Sequence, residues 1–263
     1  MKSTRLARSG PPIALVAVVV LGWEAYVRLA AIDPITLPAP SRVLGALLDF
    51  REAAVGHLIP TLFEAVVGCS LSVVLAVAAA VALDRWEPVR RAVEPLLVTS
   101  QTIPIVAIAP LFVIWFGFGL LPKVLIVVLV TFFPVTIALL DGFGRVEPEA
   151  MDLMRSMGAT ARETFRKLRW PAALPALFTG LRISVVYAVI GAVFGEYVGA
   201  REGLGIWMQL SQNSFRTDLV FAAIVVTSAI SLVLYWAVGL IRRVAIPWAP
   251  GVRREPDLES LPY

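Results

Sequence analysis

This sequence is poor in the residues that most enzymes use for chemistry. Its 263 residues include a single cysteine, Cys69, and a single histidine, His57. One imidazole without Cys, Asp or Glu at ligand spacing makes a poor metal site, and a lone cysteine in an apolar segment is read as a packing residue. The patterns G-x-S-x-G, H-E-x-x-H and C-x-x-C are also absent. We therefore expect no metal, no cofactor and no catalytic site.

A nucleotide-binding loop is missing as well. The chain contains no G-x-x-x-x-G-K-[ST] pattern, so it does not bind ATP by a P-loop of its own. If ATP drives its function, a separate chain must hydrolyse that ATP. We interpret the protein as a non-enzymatic subunit.

Charged residues are scarce, which places the chain in a membrane. Only 16% of residues are charged and 59% are hydrophobic, with a mean hydropathy of +0.83. Four uncharged runs, 65–83, 95–121, 124–140 and 219–241, approach or exceed the ~20 residues that cross the hydrocarbon. We predict an all-α integral membrane protein with about six transmembrane helices, at residues 13–31, 58–83, 93–118, 123–141, 172–199 and 218–241.

The first span is predicted to be retained rather than cleaved. Its apolar run leads into Trp23 and Glu24 without an A-x-A-like cleavage site. The chain then divides into an N-terminal tail (1–11), a transmembrane domain (12–241) and a C-terminal tail (242–263).

The distribution of basic residues predicts the orientation. With six spans and the N-terminus inside, sixteen of the 23 Lys and Arg residues are cytoplasmic and five are external. Both tails are then cytoplasmic. The pI near 9.6 reflects contact with anionic lipid head groups and an internal partner, and does not indicate a nucleic-acid partner.

A basic and polar loop separates the fourth and fifth predicted spans. This polar loop, residues 142–171, is predicted to be a helix-turn-helix, since Pro148 suits a first helical turn and Gly158 suits a helix end. Methionines recur every three residues in the first helix, at Met151, Met154 and Met157. Such a face either enters a partner's groove or rests on the bilayer.

The second helix of the polar loop is predicted from its N-terminus. Thr160 and Glu163 fit the T-x-x-E capping box. We expect this helix to run to Trp170 and to break at Pro171.

Proline and glycine mark two of the membrane spans. Pro104 and Pro110 predict a kink in the third span, where Gln101 and Thr102 either line a pathway or satisfy neighbouring helices. In the fifth span a doubled G-x-x-x-G allows close approach of another helix, in the same chain or across a dimer. Its glycines are Gly191, Gly195 and Gly199.

Glu196 lies among these glycines near the outer end of the fifth span. A carboxylate here either faces outward or takes part in gating or substrate passage. We take Gln101, Thr102, Pro104 and Glu196 as candidate pathway residues.

The polar loop resembles the cytoplasmic EAA loop of binding-protein-dependent ABC transporter permeases. Asp152-Leu153-Met154 stands at the acid-Ala-Ala triplet, Gly158 at the loop glycine, and Leu168-Arg169-Trp170-Pro171 at the Ile-x-Leu-Pro close. The resemblance implies ATPase-coupling residues at Met151, Asp152, Leu153, Met154, Met157, Gly158, Ala159 and Pro171.

Other segments resemble one branch of that superfamily. Ile108-Ala109-Pro110-Leu111-Phe112, Gly203-Leu204-Gly205 and Thr217-Asp218 look like permeases for nitrate, sulfonates and taurine, a group that includes importers of thiamine-precursor pyrimidines and riboflavin. The resemblance implies a bacterial inner-membrane importer in which two permease chains, expected to be identical, bind a cytoplasmic ATP-binding subunit dimer and an extracytoplasmic solute-binding protein. The alternative is a secondary transporter or channel that ATP does not drive.

Overall fold

The computed structural model describes residues 3–249, and the remainder of the predicted C-terminal tail, residues 250–263, lies outside the described residues. Within residues 3–249 every regular element is helical. The α-helices are α1 (Ser3–Leu29), α2 (Pro40–Asp49), α3 (Arg51–Arg85), α4 (Glu87–Ser100), α5 (Ile105–Phe116), α6 (Leu120–Gly144), α7 (Pro148–Ser156), α8 (Ala161–Thr164), α9 (Trp170–Tyr197), α10 (Leu204–Asn213) and α11 (Thr217–Ala245).

The predicted all-α membrane protein is confirmed at the level of its apolar helices. Four helices are long and apolar enough to cross a membrane, namely α3, α6, α11 and the continuous helix Ala161–Tyr197. The bent pair α4 and α5 gives a fifth span if it crosses as one unit. The first predicted span, residues 13–31, corresponds to α1, a helix of 27 residues, and its crossing stays a prediction.

The predicted kink of the third span is a full break. α4 and α5 meet at 97°, and Pro104 occupies the extended N-cap position of α5 with φ −65° and ψ 124°. Because proline has no amide hydrogen, it favours a helix start over a helix interior. Pro110, by contrast, lies within α5 without interrupting it.

The predicted helix break at Pro171 is wrong. The capping box forms as expected, since the Glu163 amide donates to Thr160 Oγ1 at 3.2 Å and the Thr160 amide donates to Glu163 Oε2 at 3.0 Å. The chain then continues through a π-helical turn, Phe165–Arg169, directly into α9. Pro171 is therefore in the first turn of α9, where its missing amide hydrogen costs little.

The core of the fold is the contact of α6 with α9 and α3. Glycines let α6 and α9 approach until their backbones touch. A methyl group added at Gly180 would lie 2.9 Å from the Pro134 carbonyl oxygen, and one at Gly191 would lie 2.9 Å from Val130 Cγ2. These distances leave no room for a side chain, so glycine is required there.

The C-terminal end of α9 and the residues that follow it also lie close to α6 and to the segment before α6. A methyl group at Gly195 would lie 3.2 Å from the Cα atom of Lys123 on α6, and one at Gly199 would lie 2.5 Å from the Phe118 ring. The G-x-x-x-G pattern left open whether these glycines pack against a helix of the same chain or across a dimer. In the structure Gly191 and Gly195 pack against α6 of the same chain.

Replacing Gly191 or Gly195 with leucine is expected to destabilise the protein by about 1–3 kcal/mol, because the added side chain overlaps α6. The thermal unfolding midpoint of the purified chain in mild detergent measures this loss. The matched control is Gly56→Leu, on the exposed side of α3, where no atom lies within 4 Å of an added methyl group. Equal midpoints for all three variants would show that α6 and α9 do not pack as closely as described.

Candidate functional site

The helix end at Gly158 has the hydrogen bonds of a Schellman motif. The Gly158 amide donates to the Arg155 carbonyl oxygen at 2.9 Å, and the Ala159 amide donates to the Met154 carbonyl oxygen at 3.0 Å. Gly158 has φ +75°, a conformation that glycine adopts without steric cost. This glycine therefore fixes the angle at which the chain leaves α7.

The methionines of the polar loop do not share one exposed face. Met157 is 74% exposed and Leu153 is 62% exposed, whereas Met151 lines a cleft against the end of α3 and Met154 is half-buried. A spacing of three residues rotates about 60° short of a full helical turn at each step, so three such residues spread around the helix. Leu153 and Met157 form the exposed apolar surface of α7.

The polar loop is fastened to the rest of the chain by an ion pair. Arg169 Nη2 donates to Asp84 Oδ1 at 2.6 Å, and the Asp84 side chain is only 5% exposed. The Arg169 guanidinium also lies 5.8 Å from the Phe143 ring centroid. The end of α3, the end of α6 and the polar loop therefore meet at one point.

Beside this ion pair is an open cleft of about 700 Å³. Asp84 and Arg85 line it from α3, Met151 and Arg155 from α7, and Ala159 from the turn that follows. Two of the predicted coupling residues, Met151 and Ala159, thus face the same space.

A second cavity of about 190 Å³ lies at the break between α4 and α5. Gln101 lines it together with Phe133 of α6 and Tyr187 of α9. Of the other predicted pathway residues, Thr102 donates its hydroxyl to the Thr99 carbonyl oxygen at 2.8 Å, and Pro104 caps α5. Gln101 is the one candidate pathway residue that lines this cavity.

Glu196 lies apart from that cavity, in a buried polar cluster at the α9–α10 junction. Its side chain is fully buried, so the interpretation as an outward-facing carboxylate is wrong. Thr61 Oγ1 of α3 donates to Glu196 Oε1 at 2.5 Å, and the Gly205 amide donates to Oε2 at 2.6 Å. Glu196 therefore accepts a hydrogen bond from the N-terminus of α10 and another from α3, and so joins the two helices.

The glycines of Gly203-Leu204-Gly205 make space for this carboxylate. A methyl group at either glycine would overlap the Glu196 side chain, and Gly203 has φ +131°. The Leu204 amide also donates to Thr61 Oγ1 at 2.9 Å. The three-residue motif is thus built around Glu196.

Sequence reasoning missed the partners that surround Glu196. Thr61 was not singled out, nor was the neighbouring ion pair in which Lys123 Nζ contacts Glu64 Oε1 at 2.5 Å. The available signal was that Glu64 interrupts an apolar segment, since a charged residue there needs a partner.

The sequence matches a family model over residues 72–245. That model describes the binding-protein-dependent transport system inner membrane component. The chain belongs to this family. It is accordingly an inner-membrane permease subunit of an ABC importer, and the family implies partner subunits for ATP hydrolysis and solute binding.

Similar permeases share most of their length with this one. The formylaminopyrimidine transport permease protein ThiX of Halalkalibacterium halodurans is 40% identical over 227 residues, covering 86% of this chain and 90% of the relative. The riboflavin transport system permease protein RibX of Chloroflexus aurantiacus is 34% identical, with 91% and 90% covered. The taurine transport system permease protein TauC of Escherichia coli is 30% identical, with 90% and 88% covered.

A solved structure has the same fold. A chain of the inward-facing MetNI methionine ABC transporter superposes with a TM-score of 0.66, covering 74% of this permease and 97% of that chain at 21% sequence identity.

Glu196→Ala is expected to loosen the packing of α10 against α3, because it removes the acceptor of the Gly205 amide and leaves the Thr61 hydroxyl with only the His57 carbonyl oxygen. A buried donor left unpaired costs about 1–3 kcal/mol. Hydrogen exchange of the Gly205 amide should become faster. Glu202→Ala, an exposed carboxylate in the same segment, is the control. Unchanged exchange in Glu196→Ala would show that the carboxylate does not hold α10.

Proposed function

We propose that this permease forms, with a second identical copy, the pathway of an ATP-driven importer in a bacterial plasma membrane. The polar loop of each copy binds a cytoplasmic ATP-binding subunit, and the outer loops receive a solute-binding protein. The observation that carries the proposal is α7, an exposed helix with Leu153 and Met157 on its surface, a glycine cap at its end and an ion pair behind it. Such a helix can transmit force because its base is fixed.

We propose a topology of six membrane spans with both termini in the cytoplasm. α1 supplies the first span: Leu15, Val18 and Leu21 are each about two-thirds exposed, as expected for lipid contact. Glu24 and Arg28 lie near its end and pair with each other at 2.5 Å, which lowers the cost of both charges. Residues 12–241 then form the transmembrane domain between the tails 1–11 and 242–263.

A planar heterocycle is the substrate class that the cavity at Gln101 supports best. Phe133 and Tyr187 offer aromatic surface to a flat ring, and the Gln101 amide both donates and accepts hydrogen bonds. The names of ThiX and RibX also refer to heterocyclic solutes. A thiamine-precursor pyrimidine or a related ring is therefore our proposal.

Sulfonate, taurine and nitrate are the second choice. TauC is a relative, but at lower identity than ThiX. An anionic group is normally held by cationic or backbone donors, and none of the residues that line the cavity within 3–249 is Lys or Arg.

A secondary transporter is not favoured. It would need intramembrane polar groups that bind a coupling ion. The family assignment and the relatives instead describe permeases of ABC systems.

Reconstitution tests this function. The purified permease alone should hydrolyse no ATP, while proteoliposomes that also contain its ATP-binding subunit should import a formylaminopyrimidine delivered by the solute-binding protein. Gln101→Ala should reduce this uptake by up to roughly tenfold, the value of one or two hydrogen bonds, without reducing ATPase binding. Gln212→Ala, an exposed amide on α10, is the control.

Two results would contradict the proposal at different levels. ATP hydrolysis by the isolated permease would remove the ABC subunit assignment. Import of taurine but not of the pyrimidine would remove the heterocycle and leave the subunit assignment in place.

A further inference from the structure

A basic cavity lies between α9 and the end of α11. Its volume is about 340 Å³. Arg182 reaches it from α9, and Arg242 and Arg243 reach it from the last turn of α11. No carboxylate from residues 3–249 lines this cavity.

Among residues 3–249, no carboxylate pairs with Arg182, and other contacts hold its side chain in place. Its guanidinium carbon lies 4.2 Å from the Tyr235 ring centroid, a cation–π contact. A methyl group at Gly239 would lie 2.8 Å from Arg182 Nη2, so the absence of a side chain at 239 is what admits the guanidinium. Arg182 Nε is buried and has no hydrogen-bond acceptor among the described residues.

Three cations around one cavity repel one another unless an anion joins them. A buried guanidinium nitrogen without an acceptor is also costly. Arginine matches the oxygens of a phosphate group in a two-point hydrogen bond, and clusters of arginine favour that ligand. The chemistry of this cavity is therefore that of a phosphate site.

The surroundings select a phosphate that is attached to a lipid. Leu240 is 60% exposed and Val244 is 83% exposed beside the cavity, while Trp236 and Trp248 are each about 60% exposed. Exposed tryptophans next to arginines are typical of the membrane–water interface, where the apolar side chains contact acyl chains. A free phosphate ion would make no use of this apolar surface.

We propose that Arg182, Arg242 and Arg243 bind the phosphate of an anionic phospholipid between α9 and α11. In the proposed topology the site belongs to the cytoplasmic leaflet. Because α9 continues through the π-helical turn into the polar loop, the bound lipid would fix the helix that carries this loop.

Native mass spectrometry of the full permease in mild detergent tests the site. We expect phosphatidylglycerol to be retained and to raise the thermal unfolding midpoint, and phosphatidylcholine and inorganic phosphate to do neither. Retention of phosphatidylglycerol should weaken about fivefold for each arginine removed. The two variants are Arg182→Gln and a double variant of the surface pair, Arg242→Gln with Arg243→Gln. Arg145→Gln, an exposed cation elsewhere, is the control.

If Arg182→Gln fails to fold, the double variant of Arg242 and Arg243 still tests the site, because neither of these two side chains is buried. Equal retention of phosphatidylglycerol and phosphatidylcholine, or equal stabilisation by inorganic phosphate, would overturn the lipid site. The chain's own acidic tail is the remaining occupant, and it is tested by Glu255→Gln, Asp257→Asn and Glu259→Gln combined. If the combined tail variant retains phosphatidylglycerol and the unaltered permease does not, the tail fills the cavity and the proposal is wrong.

Discussion

The close packing of α6 against α9 is the contact on which the rest of the structure depends. Gly142 begins it at one end, where an added methyl group would lie 2.9 Å from Ala173 Cα, and Gly195 closes it near Lys123 at the other end. Between them the backbones touch at Gly180 and Gly191. Lipid supplies no hydrophobic force between helices, so such small-residue contact is what holds them together. The two helices therefore behave as one body.

The two ends of this body lead to the Glu196 cluster and to the polar loop. At one end Lys123 pairs with Glu64, next to the cluster in which Glu196 fastens α10 to α3. At the other end the π-helical turn leads from the polar loop into α9 without a break. A displacement at the polar-loop end of the helix Ala161–Tyr197 would thus reach the Glu196 cluster through one continuous helix.

Local signals predicted the parts of the structure that local chemistry decides. The glycine cap at 158 and the capping box at Thr160 each depend on a few neighbouring residues, and each was predicted from sequence. At Pro104 the sequence predicted a kink, and the structure has a full break. The close helix packing at Gly191 likewise follows from glycine spacing. The family resemblance of the polar loop agreed with the family that the comparison shows.

Tertiary contacts decided the features that sequence reasoning missed. Pro171 does not end its helix, because the widened turn before it is packed by Phe165 and Trp170 against Phe143. Glu196 is buried because its acceptor oxygens meet Thr61, which is 135 residues away in the chain. No local pattern contains either contact.

We propose that the polar loop couples this permease to its ATPase through the angle set at Gly158. The direct test compares Gly158→Val with Gly158→Asn, since no atom lies within 4 Å of an added methyl group and only backbone conformation changes. A β-branched residue pays about 1–2 kcal/mol at positive φ, whereas asparagine tolerates it.

Co-purification of the ATP-binding subunit, at equal permease abundance in the membrane, is the measurement. We expect Gly158→Val to lose the ATP-binding subunit and Gly158→Asn to keep it. Normal co-purification and transport by Gly158→Val would show that the angle at Gly158 does not control ATPase binding and that α7 is only a surface helix.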